Sequence, residues 1–536
     1  MRKWAALLLA FALLLSLAAC GDGGTQDGTD PNAGTQGNQD QPQGGEAKDT
    51  LYVALSADVM NLDPLLTSSA TDNAVNYEIY DGLVKMSPDN VAEPWIAESW
   101  EISDDGLTYT FKLRDDVVFH NGEKLTSDDV VFSAERGLVS AYTASTFGLY
   151  CESAEAIDEY TVALHLKQPY APFITLLDTA LVIHSRVAWE EAEKQAEEQG
   201  TTAEAIFLEH PVGTGPYMFV ERKAGESITL KANPDHFAIV PEIPNVVYRV
   251  ITDPSTISVA IETGEIDLAG YSSSVPAASL ELLEENENLN VVYADSISTS
   301  YITFNTETAP FNNRELRLAV AHAIDKQFLI DVVENGHGSV ATAMTNNLVF
   351  GHPGNLQGYP YDVELAKQYL ADAGYPDGQG LETLSLKVME GRTKAAGEAV
   401  QNNLQQIGMN VEIELMEKNA YLADVLGGNY TFGYLSVVLG SDAAYYSQIY
   451  TSPNINGLNS GRVNNPEIDA MFSAAETTTD TEERIASYEA VFKRVEEECY
   501  YAPLYHPKNA YVHSKSIVLG ELYPSTLYMY QVTLAD

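Results

Sequence analysis

Cys20 is the residue whose position most directly specifies chemistry. It follows Met1-Arg2-Lys3, an apolar run from Trp4 to Leu17, and the small-residue step Ala18-Ala19. Two positive charges stay on the cytoplasmic face, and the run has the length of a secretory signal, short for a membrane span. Other reactive constellations are missing. There is no His-Glu-x-x-His, Gly-x-Ser-x-Gly or Cys-x-x-Cys, and the ten histidines lack metal-ligand spacing. Gly336-His337-Gly338 follows an expected helix instead of a strand, which argues against dinucleotide binding. Gly213-Thr214-Gly215-Pro216 lacks the Lys-Ser/Thr of a phosphate loop, and Pro216 removes a donor. Acidic pairs such as Asp104-Asp105 and Asp128-Asp129 read as turn and cap residues. No catalytic residue, metal ligand or cofactor is assigned, and the chain is read as a non-enzyme.

Leu17-Ala18-Ala19-Cys20 resembles a bacterial lipobox, in which the cysteine sulfur receives a diacylglyceryl group and becomes the new N-terminus. Two acyl chains give a durable anchor where one is marginal. The alternative is an ordinary cleaved signal with an incidental cysteine. Residues 1–19 are then a signal peptide and 20–48 a lipidated cysteine plus tether. Gly21 to Lys48 carries no large apolar residue and cannot build a core. A flexible linker of that length has an end-to-end distance of roughly 30 Å. The body that follows is expected on the outer face of the cytoplasmic membrane.

The body holds about 490 residues, enough for two or three lobes. With 45% hydrophobic residues it can bury substantial cores. A formal net charge of −48 argues against nucleic acid and against attraction to anionic lipid. Cys151 and Cys499 could be bridged outside the cell, but two separately buried thiols are the expectation.

Element signals follow from pattern. Thr50 to Leu55 is a short apolar strand. Leu107, Tyr109, Phe111 and Leu113 alternate with polar residues, the mark of a half-buried strand. Val117-Val118-Phe119 reads as another strand, closed by the Asn121-Gly122 turn. Thr126 caps a helix carrying Val130, Val131 and Ala134. Leu384–Met389, a helix from about Lys394 to Ile407, and Val411 to Leu415 form a parallel β–α–β unit. Asp362 caps a helix that Gly374 and Pro376 end, and Ile485, Tyr488, Phe492 and Val495 stripe another. The class is α/β.

These segments also resemble a family. Pro94 to Arg136, PWIAESWEISDDGLTYTFKLRDDVVFHNGEKLTSDDVVFSAER, is similar to the signature of the peptide/nickel class of solute-binding proteins, the receptors of ABC importers. PVGTGPY at 211–217, NPDHF at 233–237, AIETGEIDLA at 260–269, the stretch 301–325, DVELAKQYLADAGYPDG at 362–378 and RVNNPEIDAMF at 462–472 follow in family order. The resemblance covers Thr50 to Asp536. It implies a two-lobed periplasmic-binding-protein-like fold with a hinged ligand cleft and an extra subdomain on lobe I. Lobe I would take 49–78, 209–299 and 498–536, the subdomain 79–208, and lobe II 300–497. Trp95, Trp100, Tyr109 and Phe111 would be subdomain core.

The resemblance further implies an extended ligand backbone lying between two segments. The first matches Asp58, Val59, Met60 and Asn61; the second runs from Val438 to Tyr446. Asp442 would pair with a peptide's α-ammonium, since a buried ammonium needs a carboxylate; a solvated loop aspartate is the alternative. Arg392 would meet a ligand carboxylate or be a surface arginine. Tyr434, Tyr445 and Tyr446 would line side-chain pockets or pack in lobe II. Relatives often carry tryptophan near 434–440, and this chain does not. The expected function is a monomeric, membrane-anchored receptor that binds oligopeptides or dipeptides and delivers them to permease subunits. The alternatives are another solute (a nickel chelate, sugar or opine) or, from a different class, an extracellular hydrolase.

Overall fold

The computed structural model describes residues 48–88, 91–270, 273, 275–391, 393–523 and 526–535. The expected signal peptide, Cys20, the expected tether as far as Ala47, and Arg392 lie outside the described residues. No helix among the described residues is long and apolar enough to cross a membrane.

One fourteen-residue strand, Tyr501–Ser514, organises the main sheet. Its first half runs antiparallel to Thr299–Phe304 and to Gly338–Val340. Its second half runs antiparallel to Leu289–Asp295 and Leu268–Ala269. Beyond Leu268–Ala269 the sheet continues through Thr50–Leu55, parallel to Asn245–Val250, and then Ser227–Ala232 and Tyr217–Lys223. In the other direction it continues through Phe432–Val437, Leu384–Met389 and Val411–Met416. The last two are parallel, as the β–α–β pattern requires, and are joined by the helix Thr393–Gln405. Gly408, at a φ of 87°, turns the chain after that helix.

A separate four-stranded antiparallel sheet comprises Ala97–Ile102, Thr108–Leu113, Thr161–Leu166 and Cys151–Asp158. Tyr109, Phe111 and Leu113 point into its core, as the alternation predicts. Trp95 and Trp100 are partly buried against the same core. The helix Ser127–Val139 covers this sheet and starts in a capping box between Thr126 and Asp129. Val117–Phe119 corrects the sequence reading. Both end residues are buried, but the segment makes only the isolated bridge Val118–Lys124, because the turn at Gly122 reverses the chain before a ladder can form.

Cys151 and Cys499 are free thiols buried in different cores. Burial pushes their ionisation up to about 12 and about 11, so neither is a ready nucleophile.

Polar groups staple distant segments together. Asp81 accepts hydrogen bonds from Trp95 Nε1 at 2.7 Å and Thr214 Oγ1 at 2.8 Å, with His236 Nε2 at 3.4 Å. Gly213 and Gly215 let the 211–217 loop lie against the last turn of the helix Ala70–Ile79, where any Cβ would strike the carbonyls of Ile79 or Glu78. Glu78 accepts from the Met529 amide at 2.6 Å, which ties the C-terminal segment to the same helix. Its other oxygen is buried without a partner, and burial pushes the carboxyl up to about 8.

That shift sets a pH dependence. The folded chain holds the Glu78 proton more tightly than the unfolded one, whose carboxyl titrates near 4.5. The stabilisation is therefore complete below about pH 4.5 and is lost as pH rises through 8, by roughly 4–5 kcal/mol in all. Glu78→Gln is expected to flatten the fall in melting temperature between pH 5 and 8. Parallel wild-type and variant curves across that range would contradict it.

Candidate functional site

The helix Ala70–Ile79 and the stretch 175–180 face the segment that follows Phe432–Val437 across a cavity of about 620 Å³. Asn73 and Tyr77 line it from one face of the helix Ala70–Ile79, one turn apart. Thr175, Asp178 and Thr179 line it from the short helical stretch that ends at Thr179. Val438, Leu439, Gly440, Ser441 and Tyr445 form the opposite wall, and Tyr523 and Tyr528 also line the cavity. Gly440, at a φ of 152°, has its Cα against the Tyr445 ring, where a Cβ would collide. The Tyr445 hydroxyl reaches Thr175 Oγ1 at 3.1 Å, a direct bond between the two walls.

The lining is aromatic and hydroxylic. Asp178 is its one carboxylate, and no Lys, Arg or His lines it among the described residues. Such a surface can stack on apolar groups and accept hydrogen bonds. It has no cation with which to hold an anion.

The sequence-selected residues separate into two groups. Val438 and Tyr445 line the cavity. The other described ones do not line it. Asp58 pairs with Arg222 at 2.7 Å and accepts from the Gly225 amide at 2.8 Å. Val59 is fully buried, whereas Met60 is 66% exposed. Met60 is held through its amide by Asp72, and the Asn61 carbonyl accepts from Asn76. Tyr434 packs in the core with its hydroxyl on Tyr505 at 2.7 Å, and Tyr446 packs its ring against Phe492. Of the two readings of these tyrosines, core packing fits Tyr434 and Tyr446, and pocket lining fits Tyr445.

Asp442 also departs from expectation. It is 2% exposed and caps the turn Ala443–Tyr446 by accepting from the Ala444 amide at 2.9 Å. Its other oxygen accepts from Arg484 at 3.0 Å, and that guanidinium lies over the Phe350 ring. Burial pushes the Asp442 carboxyl up while Arg484 pulls it down. The carboxylate thus has a cation from its own chain and supports the cavity wall from behind.

Asn73, Tyr77, Thr175 and Asp178 escaped sequence reasoning. The available signal was Asp178 itself, the lone charge in the apolar stretch from Pro169 to Ile183.

The Asp442–Arg484 pair yields a test. The two side chains are 2% and 11% exposed, so removing the carboxylate strands a buried guanidinium. Asp442→Ala is expected to destabilise the ligand-free protein by about 3–5 kcal/mol in urea unfolding. A loss below about 1 kcal/mol would show that the pair contributes little.

With this geometry in hand, comparison with known proteins places the chain. The description "Bacterial extracellular solute-binding proteins, family 5 Middle" matches residues 91–457. Heme-binding protein A of Haemophilus influenzae is 28% identical over 533 residues, covering 94% of each chain. Glutathione-binding protein GsiB of Salmonella paratyphi A is 29% identical over 492 residues, covering 90% of this chain and 93% of its own. The solved structure of periplasmic binding protein DppA from Helicobacter pylori with the peptide STSA superposes with a TM-score of 0.73 at 28% identity, covering 91% of this chain and 98% of that one. The fold is therefore the two-lobed, hinged α/β fold of periplasmic binding proteins, and the protein is a transport receptor, not an enzyme. The chain belongs to family 5 of the bacterial extracellular solute-binding proteins, the substrate-binding receptors of ABC importers.

Proposed function

We propose that this receptor binds peptides in the cavity between its walls and delivers them to an ABC permease while tethered to the membrane through Cys20. The observation that carries the peptide reading is the lining: acceptors, hydroxyls and aromatic rings, with one carboxylate and no cation among the described residues. An extended peptide offers backbone donors and an ammonium to such a surface. Heme and glutathione, the ligands named for two relatives, each bring two carboxylates, against the single terminal one of a peptide with uncharged side chains, and so would need more cations. The relative with bound peptide supports the same choice.

In this reading 49–78, 209–299 and 498–536 form lobe I, with 79–208 as its added subdomain and 300–497 as lobe II. The strand Tyr501–Ser514, shared by both sets of strands, is the hinge element. Val438 and Tyr445 contact the ligand, Arg392 meets its carboxylate, and Asp442 positions the 443–446 turn. The receptor acts as a monomer outside the cytoplasm.

Native mass spectrometry of the purified protein is expected to release co-purified peptides; masses of porphyrins, metal chelates or sugars alone would overturn the peptide reading. Saturating peptide should shrink the particle in small-angle scattering and raise the melting temperature, as closure around a ligand demands.

The anchor is tested separately. Cys20→Ala is expected to release the protein into the medium or leave an unprocessed precursor in membrane fractionation. Full membrane retention without an acyl label in the wild type would refute the lipid anchor.

A further inference from the structure

Two acceptors in the cavity lack the partners that buried acceptors normally have. Asn73 is 9% exposed and lines the cavity, yet its Oδ1 has no hydrogen-bond partner. Leaving such a group unsatisfied is costly, so a buried orphan at a cavity wall points to a missing donor. Asp178 lines the same cavity. Its one hydrogen bond among the described residues is a long one, from the Met86 amide to Oδ2 at 3.3 Å. No cation lies within ion-pair distance of it among the described residues.

Lys85 shares an adjoining recess with Asp178, and the two attract each other electrostatically without forming an ion pair. Lys85 is held over aromatic faces, with its ammonium 3.5 Å from the Tyr528 ring centroid. The Asp178 carboxylate therefore faces a roomy, largely uncharged cavity without a counter-ion in contact. Burial pushes its pKa up, with Lys85 and the Met86 amide opposing and Asp81 adding to the shift. Tyr77, one turn along the helix from Asn73, lines both the main cavity and the recess where Asp178 and Lys85 meet. That places the amide oxygen and the carboxylate on adjoining walls.

We infer that Asp178 and Asn73 form a recognition subsite for a ligand's primary ammonium, with Asp178 as its counter-ion and Asn73 Oδ1 as a second acceptor. This rests on the peptide reading and deepens it. The ammonium is read from the wall that carries residues 73 and 178, not from the loop that carries Asp442. An ammonium has three N–H donors and no acceptor, which matches a site composed of acceptors. Burying it beside a fixed carboxylate makes the pair a strong source of selectivity against neutral and anionic analogues.

The test uses wild type, Asp178→Asn and Asn73→Ala, each checked by thermal unfolding for an intact fold. Three probes are offered: an equimolar tetrapeptide library of Ala, Ser and Leu; the same library N-acetylated; and a mixture of small amines, neutral sugars and dicarboxylates. Bound species are read by native mass spectrometry and titrated. Wild type is expected to bind the free library and to lose at least tenfold in affinity on acetylation. Asp178→Asn should show the same tenfold loss with the free library and no further loss on acetylation, because both changes remove one pair. Asn73→Ala should lose about threefold. If free and acetylated peptides bind wild type equally, or Asp178→Asn leaves affinity unchanged, the subsite is refuted and the peptide reading stands. Retention of amines but no peptides, lost in Asp178→Asn, refutes the peptide reading and keeps the subsite. Retention of sugars or dicarboxylates only, or of nothing, refutes both.

Discussion

The main sheet hangs on one continuous strand. Tyr501–Ser514 gives its first half to one set of partners and its second half to another. A hydrogen-bonded ladder resists stretching and shear, so the two halves can change their relation only by rotation where the pairing switches. That switch lies near Tyr505 to Lys508, and the chain is adapted to it. Pro503 and Pro507 offer no amide to a ladder, and the register with Thr299–Phe304 shifts at Ser300/Tyr301. A proline inside a central strand is otherwise disfavoured, and here it sits where regular pairing gives way.

Closure must bring two chemically different walls together, and each is stiffened from behind. On one side Asp81 gathers Trp95, Thr214 and His236, while Glu78 holds the C-terminal segment at Met529. These contacts join motifs far apart in sequence, and the glycines of the 211–217 loop exist to let backbone meet backbone there. On the other side Asp442 and Arg484 brace the turn that presents Tyr445. Rigid support of this kind keeps side chains preorganised, so less of the binding energy is spent on ordering them.

The cavity's electrostatics then follow from what is absent from its surface. A chain with a net charge of −48 must place many carboxylates, yet among the described residues only Asp178 lines this cavity. The neighbouring Lys85 is drawn onto aromatic faces, and Glu78 takes up a proton near neutral pH because it is buried. The site is thus neither a general acidic sink nor an anion trap. It is an apolar and hydroxylic slot with one localised negative charge.

Periodicity and capping chemistry made much of the fold legible in advance. Thr50–Leu55 and Leu384–Met389 appear with the bounds read from pattern, the Thr126 and Asp362 caps sit where their side chains demand, and the ordered motifs indicated the family. These features depend on interactions within a few residues, which a linear chain displays directly. The strand expected at Val117–Phe119 failed because alternation does not reveal whether a neighbour is within pairing reach. Side-chain placement was hidden for a related reason. Asp442 could be read as a ligand partner until Arg484, 42 residues away, was found against it. Tyr434, Tyr445 and Tyr446 are equivalent as letters, and only strand pleat and turn geometry send one to the cavity and two to the core. Local sequence determined the elements, their caps and the family; which side chains face the cavity was decided by tertiary packing, because orientation and long-range charge pairing have no local signature.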